Sequence, residues 1–133
     1  MKEFKETVEF NGKADDIFEF LTNPRKFSNI TGGKTSNTNK EGKSFTCYDG
    51  YINGTIDKLE NGKKIVMKWR VEDFDNGHLT NVIIDIKPKT NKSCSLSISQ
   101  DNIPDDFYED IKNLWNELYF DPIKDHLQDM LWK

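Results

Sequence analysis

The chain has 133 residues, of which 35% are hydrophobic and 32% charged, with a formal net charge of −4. That length suits one domain, 1–133, with a core that needs no metal or disulfide, and its mild acidity argues against nucleic acid as a partner, because phosphate binding needs a basic footprint. No apolar run approaches the roughly 20 residues of a membrane-spanning helix, and Lys and Arg are scattered, so no membrane partner is expected. The opening M-K-E-F-K-E-T-V-E-F alternates charged and apolar residues, unlike a signal or transit peptide. The expected location is the cytosol.

Lys2–Phe10 has the pattern of a first strand, with Phe4, Val8 and Phe10 on one face and Glu6 interrupting it, which places it near a sheet edge. Asn11-Gly12 turns the chain into a short helix over Ala14–Leu21, whose Asp15 and Asp16 suit the positive end of the helix dipole. Asn23-Pro24 ends it, and Pro24 opens a second helical turn through Phe27. Thr31 to Lys43 holds no large apolar residue and predicts a mobile loop, with a ragged edge strand around Thr35–Asn39.

Phe45 to Arg70 then holds three strand-like segments. Asp49-Gly50 and Asn61-Gly62 each have the form of a two-residue hairpin turn, since Gly tolerates positive φ. Ile65, Met67 and Trp69 alternate with Val66, Lys68 and Arg70, the period of a half-buried strand. After a turn at Glu72–Gly77, Leu79–Pro88 forms a strand with Val82, Ile84 and Ile86 on one face, which Pro88 is expected to stop. Thr90-Asn91-Lys92 turns into Ser93–Gln100, where Cys94, Leu96 and Ile98 alternate with serines. Pro104, Asp105 and Asp106 open a long helix to about Leu131. Its apolar stripe comprises Phe107, Ile111, Leu114, Trp115, Leu118, Ile123, Leu127 and Met130–Leu131, with a kink near Leu118–Phe120 imposed by Pro122. Trp132 is either an exposed anchor or the last turn packing down. The whole is an antiparallel meander wrapped around one long helix.

The D-G-x-I-x-G turn and strand at Asp49–Gly54, followed by L-E-x-G-K-K-I-V-M-K-W-R, resembles the carboxy-terminal domain of the activator of heat-shock protein 90 ATPase family. His78–Ile86, Gln100 with Ile103-Pro104, and L-W-N-E-L-Y-F-D-P-I-K from Leu114 to Lys124 stand in that family's order, so the resemblance covers nearly the whole chain. It implies an α+β helix-grip fold of the START-like, birch-pollen-allergen-like kind: a curved antiparallel sheet around a long carboxy-terminal helix, with two short helices after the first strand. It also implies a co-chaperone that binds heat-shock protein 90 and stimulates its ATPase by favouring the closed state. Full-length members add an amino-terminal domain that makes the main chaperone contact; by the resemblance these 133 residues are expected to begin at the first strand of the second domain, as a natural single-domain relative or as a fragment. Binding is therefore expected more directly than strong stimulation.

The residues offer little chemistry of their own. His78 and His126 are far apart, and no Cys/His spacing resembles a zinc site. Gly32-Gly33 lacks the helix and Lys-Ser/Thr of a phosphate loop. Acid pairs such as Asp15-Asp16, Asp73/Asp75 and Asp105-Asp106 fall at helix starts and turns, where they cap or solvate. Neither catalysis nor a cofactor is expected. Cys47 and Cys94 suit small buried hydrophobes rather than a redox pair.

Candidate partner contacts are Lys68 and Arg70 on the wet face of the meander and Lys34 and Lys40 in the polar loop. The bland reading of Arg70 is a surface ion pair. Trp69, Ile84, Ile98, Gln100, Trp115 and Tyr119 are candidate lining for a helix-grip cavity, although two facing tryptophans favour a filled one. Gln100 is either the polar anchor of that cavity or an amide satisfying backbone at a sheet end. The alternative function is a carrier of a small hydrophobic ligand; a cyclase- or hydrolase-type enzyme on this fold has no residue set to support it.

Overall fold

The computed structural model describes residues 1–131. Six antiparallel strands form one curved sheet: β1 (Lys2–Phe10), β2 (Ser44–Cys47), β3 (Ile52–Glu60), β4 (Lys64–Val71), β5 (Thr80–Thr90) and β6 (Ser93–Ile103), in the order β1-β6-β5-β4-β3-β2. Helices α1 (Ala14–Thr22) and α2 (Pro24–Thr31) follow β1, and α3 (Tyr108–Trp115) and α4 (Asp121–Leu131) make up the long carboxy-terminal helix. This is the START-like helix-grip arrangement. β1 is an edge strand, as Glu6 indicated: only at an edge can a carboxylate on the inward face remain half-buried between Phe4 and Val8.

Period-two patterning becomes rows of side chains across the sheet. Ile65, Ile84 and Ile98 lie opposite one another on β4, β5 and β6, and Met67, Val82 and Gln100 form the next row. All six are buried. Burying an isoleucine side chain is worth about 1.5–3 kcal/mol.

The carboxy-terminal helix is not straight. A π-helical turn over Asn116–Phe120 separates α3 from α4, where the Pro122 kink was expected. Ile111, Trp115, Tyr119, Phe120, Ile123 and Leu127 are buried along it, whereas Met130 is 52% exposed and falls off the stripe. The Leu131 side chain and Trp132 lie outside the described part.

Several boundaries differ from expectation. Pro88 does not stop β5, which runs on to Thr90. The β4 ladder ends at the Lys64–Asp85 pair, so Pro88 lacks an N–H only where no strand remains to accept one. Asp49-Gly50 is not a two-residue hairpin: Tyr48–Gly50 form a 3-10 turn in which Tyr48 and Asp49 both take positive φ, 51° and 59°. For a tyrosine that conformation costs of order 1–3 kcal/mol. The second hairpin uses three residues, 61–63, rather than two, closing on the Glu60–Lys64 pair. Helix α2 extends four residues beyond Phe27, to Thr31.

The Thr31–Lys43 loop, expected to be mobile, is hydrogen-bonded to the body of the fold. Ser36 forms a bridge with Thr46 beside β2, the buried Thr38 hydroxyl donates to the Thr22 carbonyl at 2.7 Å, and Gly42 N–H donates to the Ile56 carbonyl at 2.7 Å. With no large apolar residue to bury, the loop is held by backbone and hydroxyl groups instead.

Candidate functional site

Among the described residues, aromatic side chains fill much of the space between sheet and helix. Trp69 on β4 stacks on Trp115 of α3 with ring centroids 5.4 Å apart at 27°, and Trp115 lies 4.2 Å from Tyr119 of the π turn. Both tryptophans and Ile98 have no exposed surface, so these candidates are packed core. Ile84 and Tyr119 border a void of about 20 Å³ among the described residues. That admits about one water molecule, against the ~300–1,000 Å³ of organic-ligand pockets. In this conformation there is no volume for a hydrophobic cargo at that void.

Gln100 does something other than either expected role. Trp115 Nε1–H donates to Gln100 Oε1 at 2.8 Å, Gln100 Nε2 donates to Thr80 Oγ1 at 2.9 Å, and the Thr80 hydroxyl donates to the Trp69 carbonyl at 2.6 Å. Docking a tryptophan onto the middle of a sheet buries an N–H that water can no longer reach. Gln100 supplies the acceptor and passes its own donors on to Thr80. A second contact, from Trp69 Nε1 to the Tyr119 hydroxyl at 3.4 Å, joins the same aromatic stack from the sheet side.

Cys47 and Cys94 are free and buried, on strands separated by β3, β4 and β5. Burial pushes the Cys47 thiol up to about 11 from 9.0, although hydrogen bonds with Tyr119 and Thr35 pull the other way. The fold therefore favours the neutral thiol. Its contribution to stability is complete below pH 9 and is lost as pH rises through about 11. Urea unfolding is expected to show a fall of roughly 2–3 kcal/mol across that window, part of which Cys47→Ala abolishes. The buried Tyr119 phenol, also pushed well above its usual value, contributes with the same sign. An identical alkaline slope in Cys47→Ala would rule out the thiol as a source.

On the outer face the strand register builds a polar ladder across four strands. Lys68 Nζ donates to Asn81 Oδ1 at 2.6 Å, Asn81 Nδ2 donates to Asp101 Oδ1 at 2.7 Å, and Lys68 Nζ lies 3.7 Å from Asp57 Oδ2. The Lys68 side chain is 44% exposed. Arg70 makes the surface ion pair with Glu72 at 3.2 Å, yet its side chain is only 13% exposed, and Nη2 also donates to the Phe74 carbonyl at 3.3 Å. It buttresses the β4–β5 turn more than it projects from it.

Lys34 and Lys40 are separate from this face, on the loop that runs along the β2 edge. Among the described residues their ammonium groups form no ion pair. Lys34 lines an open polar depression of about 560 Å³ with Ser28, Thr35, Ser36, Thr46 and Asp49.

Two residues that sequence reasoning passed over organise these surfaces. Phe74, the lone apolar residue of the E-D-F-D-N-G turn, is buried against Trp69 and Phe107 at 6.5 and 5.3 Å. An isolated phenylalanine in an otherwise polar turn was the available signal. Tyr48 donates its hydroxyl hydrogen to the Leu118 carbonyl in the π turn. No group of three or more His, Cys, Asp or Glu suited to a metal occurs among the described residues, and no helix there is long and apolar enough to cross a membrane.

The sequence profile of the family described as Activator of Hsp90 ATPase homolog 1-like protein matches residues 11–128. A relative from Dictyostelium discoideum, named Activator of 90 kDa heat shock protein ATPase homolog, is 32% identical over 127 residues, covering 92% of this chain and 32% of its own length. This chain thus spans about a third of the length of the curated relatives it matches. An HSP90 activator from Plasmodium falciparum superposes with a TM-score of 0.87 at 21% identity, covering 96% of this chain and 97% of that one. A START superfamily protein from Mycobacterium smegmatis gives 0.72 at 10% identity, covering 96% and 98%. At those identities the two structures speak for the fold alone. The family match, which takes in most of the chain, is what identifies it: the chain belongs to the Activator of Hsp90 ATPase homolog 1-like family.

Proposed function

We propose that this chain, as one domain over 1–133, is a cytoplasmic co-chaperone module that binds heat-shock protein 90 and modulates its ATPase cycle by favouring the closed state. The observation that carries this reading is the family match over residues 11–128. A binder that prefers one conformation of its partner shifts the population by its differential affinity and needs no catalytic group of its own.

The contact is assigned to Lys34 and Lys40 on the β2-edge loop and to Lys68 on the outer sheet face, where Arg70 lies beside it. Among the described residues Lys34 and Lys40 form no ion pair, so they supply most of the attraction. Lys68 would have to exchange its Asn81 and Asp57 contacts for new ones. Arg70 holds the Phe74 carbonyl, so it shapes the surface rather than anchoring a partner.

The test is the steady-state ATPase rate of heat-shock protein 90 titrated with this chain, with a parallel binding isotherm. A saturable rise establishes an activator, binding without a rise establishes a recruiting module, and the absence of both a rise and binding overturns the chaperone reading. Reversing both loop charges, Lys34→Glu with Lys40→Glu, is expected to weaken binding by about tenfold, mostly through the on-rate, at unchanged melting temperature. An unchanged Kd would move the interface elsewhere while leaving the binding intact.

A further inference from the structure

Several unusual features meet at the carbonyl of Leu118. Pro122 has no N–H, so this carbonyl loses the partner that a regular helix would give it four residues on. It lies within the π turn, and the Tyr48 hydroxyl donates to it from the turn after β2. Tyr48 reaches it from a left-handed backbone conformation shared with Asp49. Its ring presses so closely on Gly33 that a Cβ there would come within 2.5 Å of it, and it meets Phe27 edge-on with centroids 5.9 Å apart. Tyr48 thus ties the strained edge turn to the helix at a carbonyl that Pro122 leaves without its regular helical partner.

Behind this contact lies the small void. Cys47, the residue before Tyr48, and Tyr119, the residue after Leu118, both border it. Beyond the π turn, α4 packs against the α1 side of the molecule rather than the middle of the sheet: Leu127 lies over Gly12, and His126 meets Phe20 edge-on at 5.2 Å. α3 is pinned to the sheet through Trp115, Trp69 and Gln100. The long helix thus has an anchored half, a joint and a separately packed half.

We propose that the Tyr48–Leu118 hydrogen bond is a latch, and that its release lets the strained turn part from the π turn as a local unit, opening the void between Cys47 and Tyr119 to solvent while the sheet stays folded. Release relaxes the backbone at Tyr48 and Asp49, which offsets part of the lost hydrogen bond. Local openings of this kind occur well below the free energy of global unfolding where strain and weak backbone bonding coincide. The latch gives the interior a gated entrance, and this holds whichever partner the surface recognises.

The two buried cysteines provide the test, because Cys94 sits on β6 between β1 and β5 and reports opening of the sheet. Each thiol is labelled under native conditions with 5,5′-dithiobis(2-nitrobenzoate), and the modified peptides are quantified separately. In the unmodified protein, Cys47 is expected to react with a shallower urea dependence than Cys94. Tyr48→Phe removes the donor, keeps the ring on Gly33 and Phe27, and should raise the Cys47 rate by about tenfold relative to Cys94, the equivalent of ~1.4 kcal/mol. Parallel acceleration of both thiols, or of neither, overturns the latch. If Tyr48→Phe does not fold, the urea comparison in the unmodified protein decides, and equal slopes for the two thiols overturn it.

Discussion

Gly54→Ala is expected to destabilise the protein by about 3 kcal/mol or more, a large part of the 5–15 kcal/mol that holds a typical domain together. Gly54 lies on β3 between the buried Ile52 and Ile56, paired with Phe45 on β2 and Trp69 on β4. A Cβ at this position would stand 1.9 Å from the Lys68 carbonyl oxygen, 2.8 Å from its carbon and 3.1 Å from the Phe45 ring. The first two obstacles are backbone, so no rotamer change relieves them. Strand β3 or β4 would have to move, and with it Trp69 in the centre of the aromatic stack. The absent side chain is what allows the sheet to bend tightly enough to wrap the helix, with the Phe45 and Trp69 rings covering the gap. Thermal unfolding of Gly54→Ala should show a midpoint lower by roughly 10 °C. A change within experimental scatter would mean that the strand pair yields there at little cost.

Gly54 also marks where the sequence was legible and where it was not. The D-G-x-I-x-G wording singled it out through resemblance, but only the coordinates show which carbonyl a side chain would strike. Alternation along Leu79–Pro88 and Ser93–Gln100 placed Val82, Ile84, Ile86, Cys94, Leu96 and Ile98 on the buried face, because a single strand carries that information in itself. The facing of Trp69 and Trp115 followed from the helical spacing of the last segment together with the helix-grip resemblance. What failed were judgements that depend on a neighbour. Pro88 continues a strand because β4 has already ended beside it. Asp49-Gly50 is no simple hairpin because Tyr48 is committed to a helix carbonyl seventy residues away. Among the surface cations, composition could not separate Lys68, already engaged in a cross-strand ladder, from Lys34 and Lys40, which are not.

Gln100→Leu is the second large effect expected, at about 3 kcal/mol, even though the replacement is apolar and similar in size. The loss is not one of packing. Trp115 Nε1–H, fully buried, would face a methyl group instead of the Gln100 oxygen at 2.8 Å, and an unsatisfied buried donor costs roughly 1–3 kcal/mol beyond the hydrogen bond itself. Thr80 keeps its bond to the Trp69 carbonyl but loses the donor from Gln100. The double variant separates the two contributions. Trp115→Phe removes the orphaned N–H, so in that background Gln100→Leu should cost about 1–2 kcal/mol less than it does alone. Urea unfolding of the four members of the cycle measures that difference directly. If the two substitutions prove additive, Gln100 is not buried there to satisfy the tryptophan, and the polar chain linking sheet to helix contributes to the fold only through its shape.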